Sequence, residues 1–132
     1  MEKNTQATPV YVNMKYIITG IVIKGDGYGK KLGFPTVNLD IKAEHTEALP
    51  PYVPLDGVYA GVAVLDGQEY RAGIVIGPDS KVEAHFIGYS GDAYGKEVTL
   101  ELHKFLRKYK KFKTEKELIA QIKKDIKLCS QV

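Results

Sequence analysis

A chain of 132 residues with 44% apolar side chains has the size of one domain and enough hydrophobic matter for one compact core. Its 19 basic and 16 acidic side chains give a net charge of +3, too mild for wholesale binding to nucleic acid or an acidic membrane. The single cysteine, Cys129, excludes an internal disulfide and suits a reducing compartment, so a cytoplasmic protein is expected.

Residues 1–14 are polar, contain Pro9 and lack an apolar run, so they read as a flexible tail rather than a secretory signal or membrane anchor. No later segment has the length to span a bilayer, and one domain is expected over residues 15–128. From Tyr16 to Ile23 the chain is rich in β-branched and aromatic residues, which suit a pleated surface, and Gly25 ends that strand.

Four glycines, Gly25, Gly27, Gly29 and Gly33, then fall within nine residues. Their missing side chains let backbone N–H groups converge on phosphate oxygens, with Lys30 and Lys31 adding charge; the same composition also makes a plain flexible turn. The phosphate-loop pattern GxxxxGK[ST] is absent. Pro35 fixes φ and biases Phe34 toward an extended backbone, so Thr36 and Asn38, two apart on a strand, point to one face. A hydroxyl and an amide oxygen side by side are hard ligands that suit Mg²⁺, which takes few protein oxygens when substrate phosphates supply the rest. Alternatively, both side chains satisfy backbone groups at a strand entrance.

Residues 40–56 contain Pro50, Pro51 and Pro54 and read as a long surface loop. A hairpin follows, with strands 57–65 and 68–76 flanking Asp66-Gly67, a dipeptide suited to a tight primed turn. Strands are expected over 81–89 and 96–105, joined by a turn over 90–95 that includes Tyr94. In the first, Val82, Ala84 and Phe86 oppose Glu83 and His85; in the second, Val98, Leu100 and Leu102 oppose Glu97, Thr99, Glu101 and His103. Thr114 with Glu117 forms a capping-box pattern, after which Leu118, Ile119, Ile122 and Ile126 recur at helical spacing. Residues 103–127 carry ten basic against three acidic side chains, near +7, leaving nine against thirteen, near −4, elsewhere. That asymmetry either steers an anionic ligand or solvates a helix. Short strands followed by one helix predict a small, closed or partly closed antiparallel barrel.

The run Gly25-x-Gly27-x-Gly29-Lys30-x-Leu32-Gly33-Phe34-Pro35-Thr36-x-Asn38 resembles the signature loop of the riboflavin kinases of bacteria and eukaryotes. The resemblance extends through Gly57-Val58-Tyr59-Ala60, the glycine-flanked strand 73–77, Val82-Glu83-Ala84-His85 and Asp92-Ala93-Tyr94-Gly95. It continues through Phe105-Leu106-Arg107 with Lys111-Phe112, to the helix from Glu117 to Asp125, covering about residues 16–126 in order. It implies a six-stranded Greek-key β-barrel with a C-terminal helix, and transfer of the γ-phosphoryl group of ATP to the ribityl 5′-hydroxyl of riboflavin, giving FMN. By this resemblance Gly25, Gly27, Gly29, Lys30, Gly33, Pro35, Thr36 and Asn38 bind the nucleotide, and Thr36 and Asn38 place Mg²⁺. Glu83 is the catalytic base, and Arg107, Tyr109 and Phe112 contact the flavin. The implied partners are riboflavin and a nucleoside triphosphate, without nucleic acid or membrane, and the protein is expected to be a monomer.

The residues alone leave Glu83 open as an ordinary strand carboxylate, and Tyr109 and Phe112 open as packing aromatics beside a helix start. His85 and His103 lack a third ligand at metal-site spacing. The chain departs from the family where Ile76-Gly77-Pro78 passes through 79–81 into Val82-Glu83 without a Pro-Thr-Phe extension, and no HxGH adenylyltransferase motif is present, so FAD synthesis is not expected. Two alternative functions remain: a catalytically silent flavin- or nucleotide-binding barrel, and an OB-like barrel binding single-stranded nucleic acid through its basic segment.

Overall fold

The computed structural model describes residues 16–24, 36–40, 46–47, 56–78 and 81–131. Seven strands form one antiparallel sheet: β1 (Tyr16–Ile23), β2 (Val37–Asp40), β3 (Thr46–Glu47), β4 (Gly57–Leu65), β5 (Gln68–Ile76), β6 (Val82–Phe86) and β7 (Glu97–Lys108). Among the described residues one helix, α1 (Glu115–Gln131), follows. The strand order β2-β6-β5-β4-β7-β1-β3, with an additional β1–β2 pairing, closes six strands into a barrel and leaves β3 as a short extension on the edge of β1. Strands β4, β5 and β6 form a meander and β7 returns to lie beside β4, which is a Greek-key connection.

Alternation of side chains builds this barrel. Val82, Ala84 and Phe86 of β6, and Val98, Leu100 and Leu102 of β7, are all buried, as their period-two pattern requires. They meet Tyr16, Ile18 and Val22 of β1, Tyr59 of β4 and Ile74 of β5 in one core cluster. Interior side chains thus fill the barrel, leaving the outward faces of the strands to carry chemistry. The hairpin turns as its dipeptide dictates, with φ of 52° at Asp66 and 78° at Gly67. In the turn after β6, the Asp92 carboxylate accepts the Tyr94 N–H at 2.9 Å, and Tyr94 is exposed.

Three expected boundaries change. The strand expected over 81–89 ends at Phe86, because Gly88, at a φ of 84°, turns the chain out of the ladder. Strand β7 runs on past Phe105 to Lys108, because Arg107 and Lys108 pair with Val58 and Gly57 across register shifts in β4. The loop expected over 40–56 contains β3, which pairs with Ile17 and Ile18.

Helix α1 begins as expected, with the Glu117 N–H donating to the Thr114 hydroxyl at 3.1 Å. It packs against β4 and β5. Its buried positions are Asp125 and Cys129, whereas the expected apolar stripe of Leu118, Ile119, Ile122 and Ile126 is only half-buried. Near its C-terminal end the approach is close: a Cβ at Gly73 of β5 would lie 3.3 Å from the Cys129 sulfur. Burial, reinforced by the nearby Asp125 charge, pushes the Cys129 thiol up to about 11, so it behaves as an inert core residue. Among the described residues no helix is long and apolar enough to cross a membrane.

Candidate functional site

A single row of cross-strand partners organises the outer face of the barrel. Arg107 of β7 pairs with Val58 of β4, Val58 with Val75 of β5, and Val75 with Glu83 of β6. Glu83 pairs in turn with Asn38 of β2, and Asn38 with Ile23 of β1. Directly opposed residues share a face, so the row places an arginine at one end, a carboxylate and an amide at the other, and two valines between. All six line one cavity of about 500 Å³, within the usual range of about 300–1,000 Å³ for small-molecule sites.

The wall opposite this floor is α1. Leu118, Ile122, Asp125 and Ile126 line the same cavity, as do Tyr109, Lys110 and Phe112 from the connection between β7 and α1. This accounts for most of the half-buried helical stripe: Leu118, Ile122 and Ile126 line the cavity, while Ile119 does not. The cavity therefore has a polar end at Thr36, Asn38 and Glu83 and, under the helix, a largely apolar and aromatic end that also holds the Arg107–Asp125 pair.

At the polar end, the Thr36 hydroxyl donates to the Glu83 carboxylate Oε1 at 3.3 Å, joining two elements separated by 47 positions in the chain. A hydroxyl has one proton and two lone pairs, so that bond leaves oxygen density available to a cation. Among the described residues no group of three or more His, Cys, Asp or Glu side chains is placed to hold a metal ion. A cation at this end would instead rest on the Thr36 and Asn38 oxygens and on substrate phosphates, which suits Mg²⁺. Lys24 and Lys81 also line the cavity.

At the other end, Arg107 is already engaged. Its Nε and Nη2 donate to the two carboxylate oxygens of Asp125 at 3.1 and 2.8 Å, and Nη1 donates to the Lys108 carbonyl at 3.2 Å. The Phe112 ring lies with its centroid 5.6 Å from the guanidinium carbon, a cation–π distance. Tyr109 is partly exposed, and a Cβ at Gly77 would lie 3.4 Å from its ring edge. After β5, the Gly77 N–H donates to the Lys81 carbonyl at 2.8 Å.

Of the residues singled out in the sequence, Thr36, Asn38, Glu83, Arg107, Tyr109 and Phe112 come together around this one cavity. Gly25, Gly27, Gly29, Lys30, Gly33 and Pro35 lie outside the described residues. His85 lines the cavity as well, two residues along the outward face from Glu83, whereas His103 sits on β7 with its Nε2 3.0 Å from Glu101. Sequence reasoning missed Asp125, the buried acid behind Arg107; its only signal was a lone acidic residue among the lysines and isoleucines of residues 122–127.

The model of the riboflavin kinase (flavokinase) family matches residues 12–132. The chain belongs to the riboflavin kinase family. It is 33% identical over 126 residues to the bifunctional riboflavin kinase/FMN adenylyltransferase of Bacillus subtilis, an alignment covering 88% of this chain and 38% of that protein. It is 30% identical over 118 residues to the RNA-binding riboflavin kinase RibR of the same organism, covering 83% of this chain and 48% of that one. The crystal structure of riboflavin kinase from Trypanosoma brucei superposes with a TM-score of 0.63 at 25% identity, covering 89% of this chain and 76% of that one. The chain thus spans well under half the length of the bifunctional relative. The six-stranded barrel with one C-terminal helix is the riboflavin kinase fold expected from the sequence.

Proposed function

We propose that the protein is a riboflavin kinase, transferring the γ-phosphoryl group of ATP to the ribityl 5′-hydroxyl of riboflavin to give FMN and ADP. The observation that carries this reading is the Thr36–Asn38–Glu83 cluster facing one end of a cavity whose other end is apolar and aromatic. Phosphoryl transfer asks for alignment and charge neutralisation more than for covalent help. Such a site needs an anion-binding end, a flat apolar end and a base between them.

In this reading the apolar end takes the isoalloxazine ring, with Tyr109 and Phe112 as its aromatic contacts. The ribityl chain runs toward Glu83. Glu83 accepts the hydroxyl proton as the new O–P bond forms and the bond to the ADP oxygen breaks. The Thr36 hydroxyl, donating to Oε1, fixes the orientation of that carboxylate. A bound Mg²⁺ would neutralise phosphate charge, with Thr36 and Asn38 as its protein oxygens. The nucleotide contacts proposed for Gly25, Gly27, Gly29, Lys30, Gly33 and Pro35 lie outside the described residues and rest on the family resemblance. The small-molecule reading is preferred to nucleic-acid binding because Tyr109 and Phe112, the aromatics beside the lysines, line the cavity instead of an open strand face.

The test is chromatographic detection of FMN after incubation with riboflavin, Mg²⁺ and either ATP or CTP. FMN from ATP is expected; bound riboflavin without FMN from either donor would favour the silent-module alternative. Thr36→Ala is expected to weaken Mg²⁺-dependent nucleotide binding about tenfold, the scale of losing one charge-assisted ligand. Nucleotide affinity unchanged in that variant, with and without the metal, would remove Thr36 from the ion site.

A further inference from the structure

Asp125 is the one buried charged or polar side chain recorded among the described residues, at 8% exposure. It sits on α1, 18 positions from the arginine it binds, and accepts from both Nε and Nη2 of Arg107. A third donor reaches it from its own helix: the Gln121 Nε2 donates to Oδ1 at 3.0 Å, one turn earlier. Three convergent donors are what a buried carboxylate requires, and the bidentate fork fixes direction as well as distance.

The consequence falls on the segment that follows Arg107. Its guanidinium also donates to the Lys108 carbonyl, where the chain leaves β7, and underlies the Phe112 ring. The Asp125–Arg107 pair thus ties the helix to the point at which residues 108–112 leave the sheet. That segment supplies Tyr109 and Phe112 to the cavity. A buried ion pair is a weak source of net stability, since apolar replacements of similar volume are often neutral or better, so its presence at a cavity wall calls for a geometric role.

We infer that Asp125 is a positioning residue for the flavin half of the site: through Arg107 it holds Tyr109 and Phe112 against the cavity. The inference rests on the riboflavin kinase reading above. It gives Arg107 a different task from direct flavin contact, because two of its donor nitrogens are committed to the helix.

The test uses the full chain and two independent readouts. Riboflavin affinity is measured directly by quenching of flavin fluorescence, and KM is measured separately for riboflavin and ATP. In Asp125→Asn, the riboflavin Kd and KM are expected to rise about tenfold or more, as misplacement of a positioning group does, while the KM for ATP stays within about twofold. Equal rises in both KM values, or an unchanged riboflavin Kd, would overturn the inference.

Since Asp125→Asn leaves a half-buried arginine underpaired and endangers folding, a double variant, Arg107→Met with Asp125→Leu, replaces the pair by apolar volume. It is expected to unfold near the temperature of the unsubstituted protein yet bind riboflavin as weakly as the single variant. Riboflavin binding restored in the double variant would make the pair purely structural and overturn the inference. Riboflavin bound by the unsubstituted protein without FMN formation overturns only the kinase reading, whereas no riboflavin binding at all overturns both.

Discussion

Glu83→Gln is expected to lower turnover by about 10²–10⁴-fold, the usual contribution of a positioned general base, while leaving riboflavin affinity unchanged. The substitution keeps side-chain volume and an oxygen that can accept from Thr36, and removes only the negative charge and the basic site. Glu83 lies in the floor between Val75 and Asn38, so in the proposed reading the contacts of the flavin ring, at the helix end, do not depend on it. Turnover measured as FMN formation and affinity measured as fluorescence quenching therefore separate the two roles. Turnover within about twofold of the unsubstituted protein would remove Glu83 from the mechanism and leave proton acceptance to water or to an oxygen of the transferred γ-phosphoryl group. A parallel loss of riboflavin affinity would point instead to a collapsed cavity floor.

The sequence announced the barrel through periodicity. Val82, Ala84 and Phe86, or Val98, Leu100 and Leu102, alternate so regularly that their burial follows from the pleat alone. The same alternation put Glu83 and His85 on the outward face, where both line the cavity. What alternation cannot supply is register. Each strand declares its two faces, but which residue lies beside which depends on pairing between distant segments. The row from Ile23 through Asn38, Glu83, Val75 and Val58 to Arg107 spans five ladders and is invisible in one dimension.

The extension of β7 past Phe105 was hidden for a related reason. The register shifts beside Val58 and Ala60 in the β4–β7 ladder break strict alternation in the region that carries Arg107 into the site. Asp125 was hidden by the opposite error. A helical stripe is read from its apolar members, so an aspartate on the inward side looks like an interruption until its arginine, on another element, is found. The Thr36 and Asn38 pair was legible because both its spacing and the preceding proline act locally.

The packing of β4 on β7 carries the second large expectation. Gly61 is buried in β4, and a Cβ built on it would fall on the carbonyl oxygen of Glu101 in β7, with the Glu101 carbonyl carbon 2.9 Å away and the Ile74 Cδ1 at 3.2 Å. The first two obstacles are backbone, which cannot swing aside as a side-chain tip can. Gly61→Ala is therefore expected to cost about 3 kcal/mol, at the upper end of ordinary overpacking, by prising the two strands apart. In urea the midpoint should fall while the slope stays constant, since the same surface is exposed on unfolding. An unchanged midpoint would mean that β4 and β7 do not approach this closely in solution. The damage should also reach the site. Val58, three residues from Gly61 along β4, and its partner Arg107, five residues from Leu102 along β7, form one end of the cavity floor, so strands parted at Gly61 should carry Arg107 away from Asp125. If the proposed reading holds, riboflavin affinity in Gly61→Ala is thus expected to fall under conditions where the protein is still folded, linking barrel closure to the shape of the cavity's helix end.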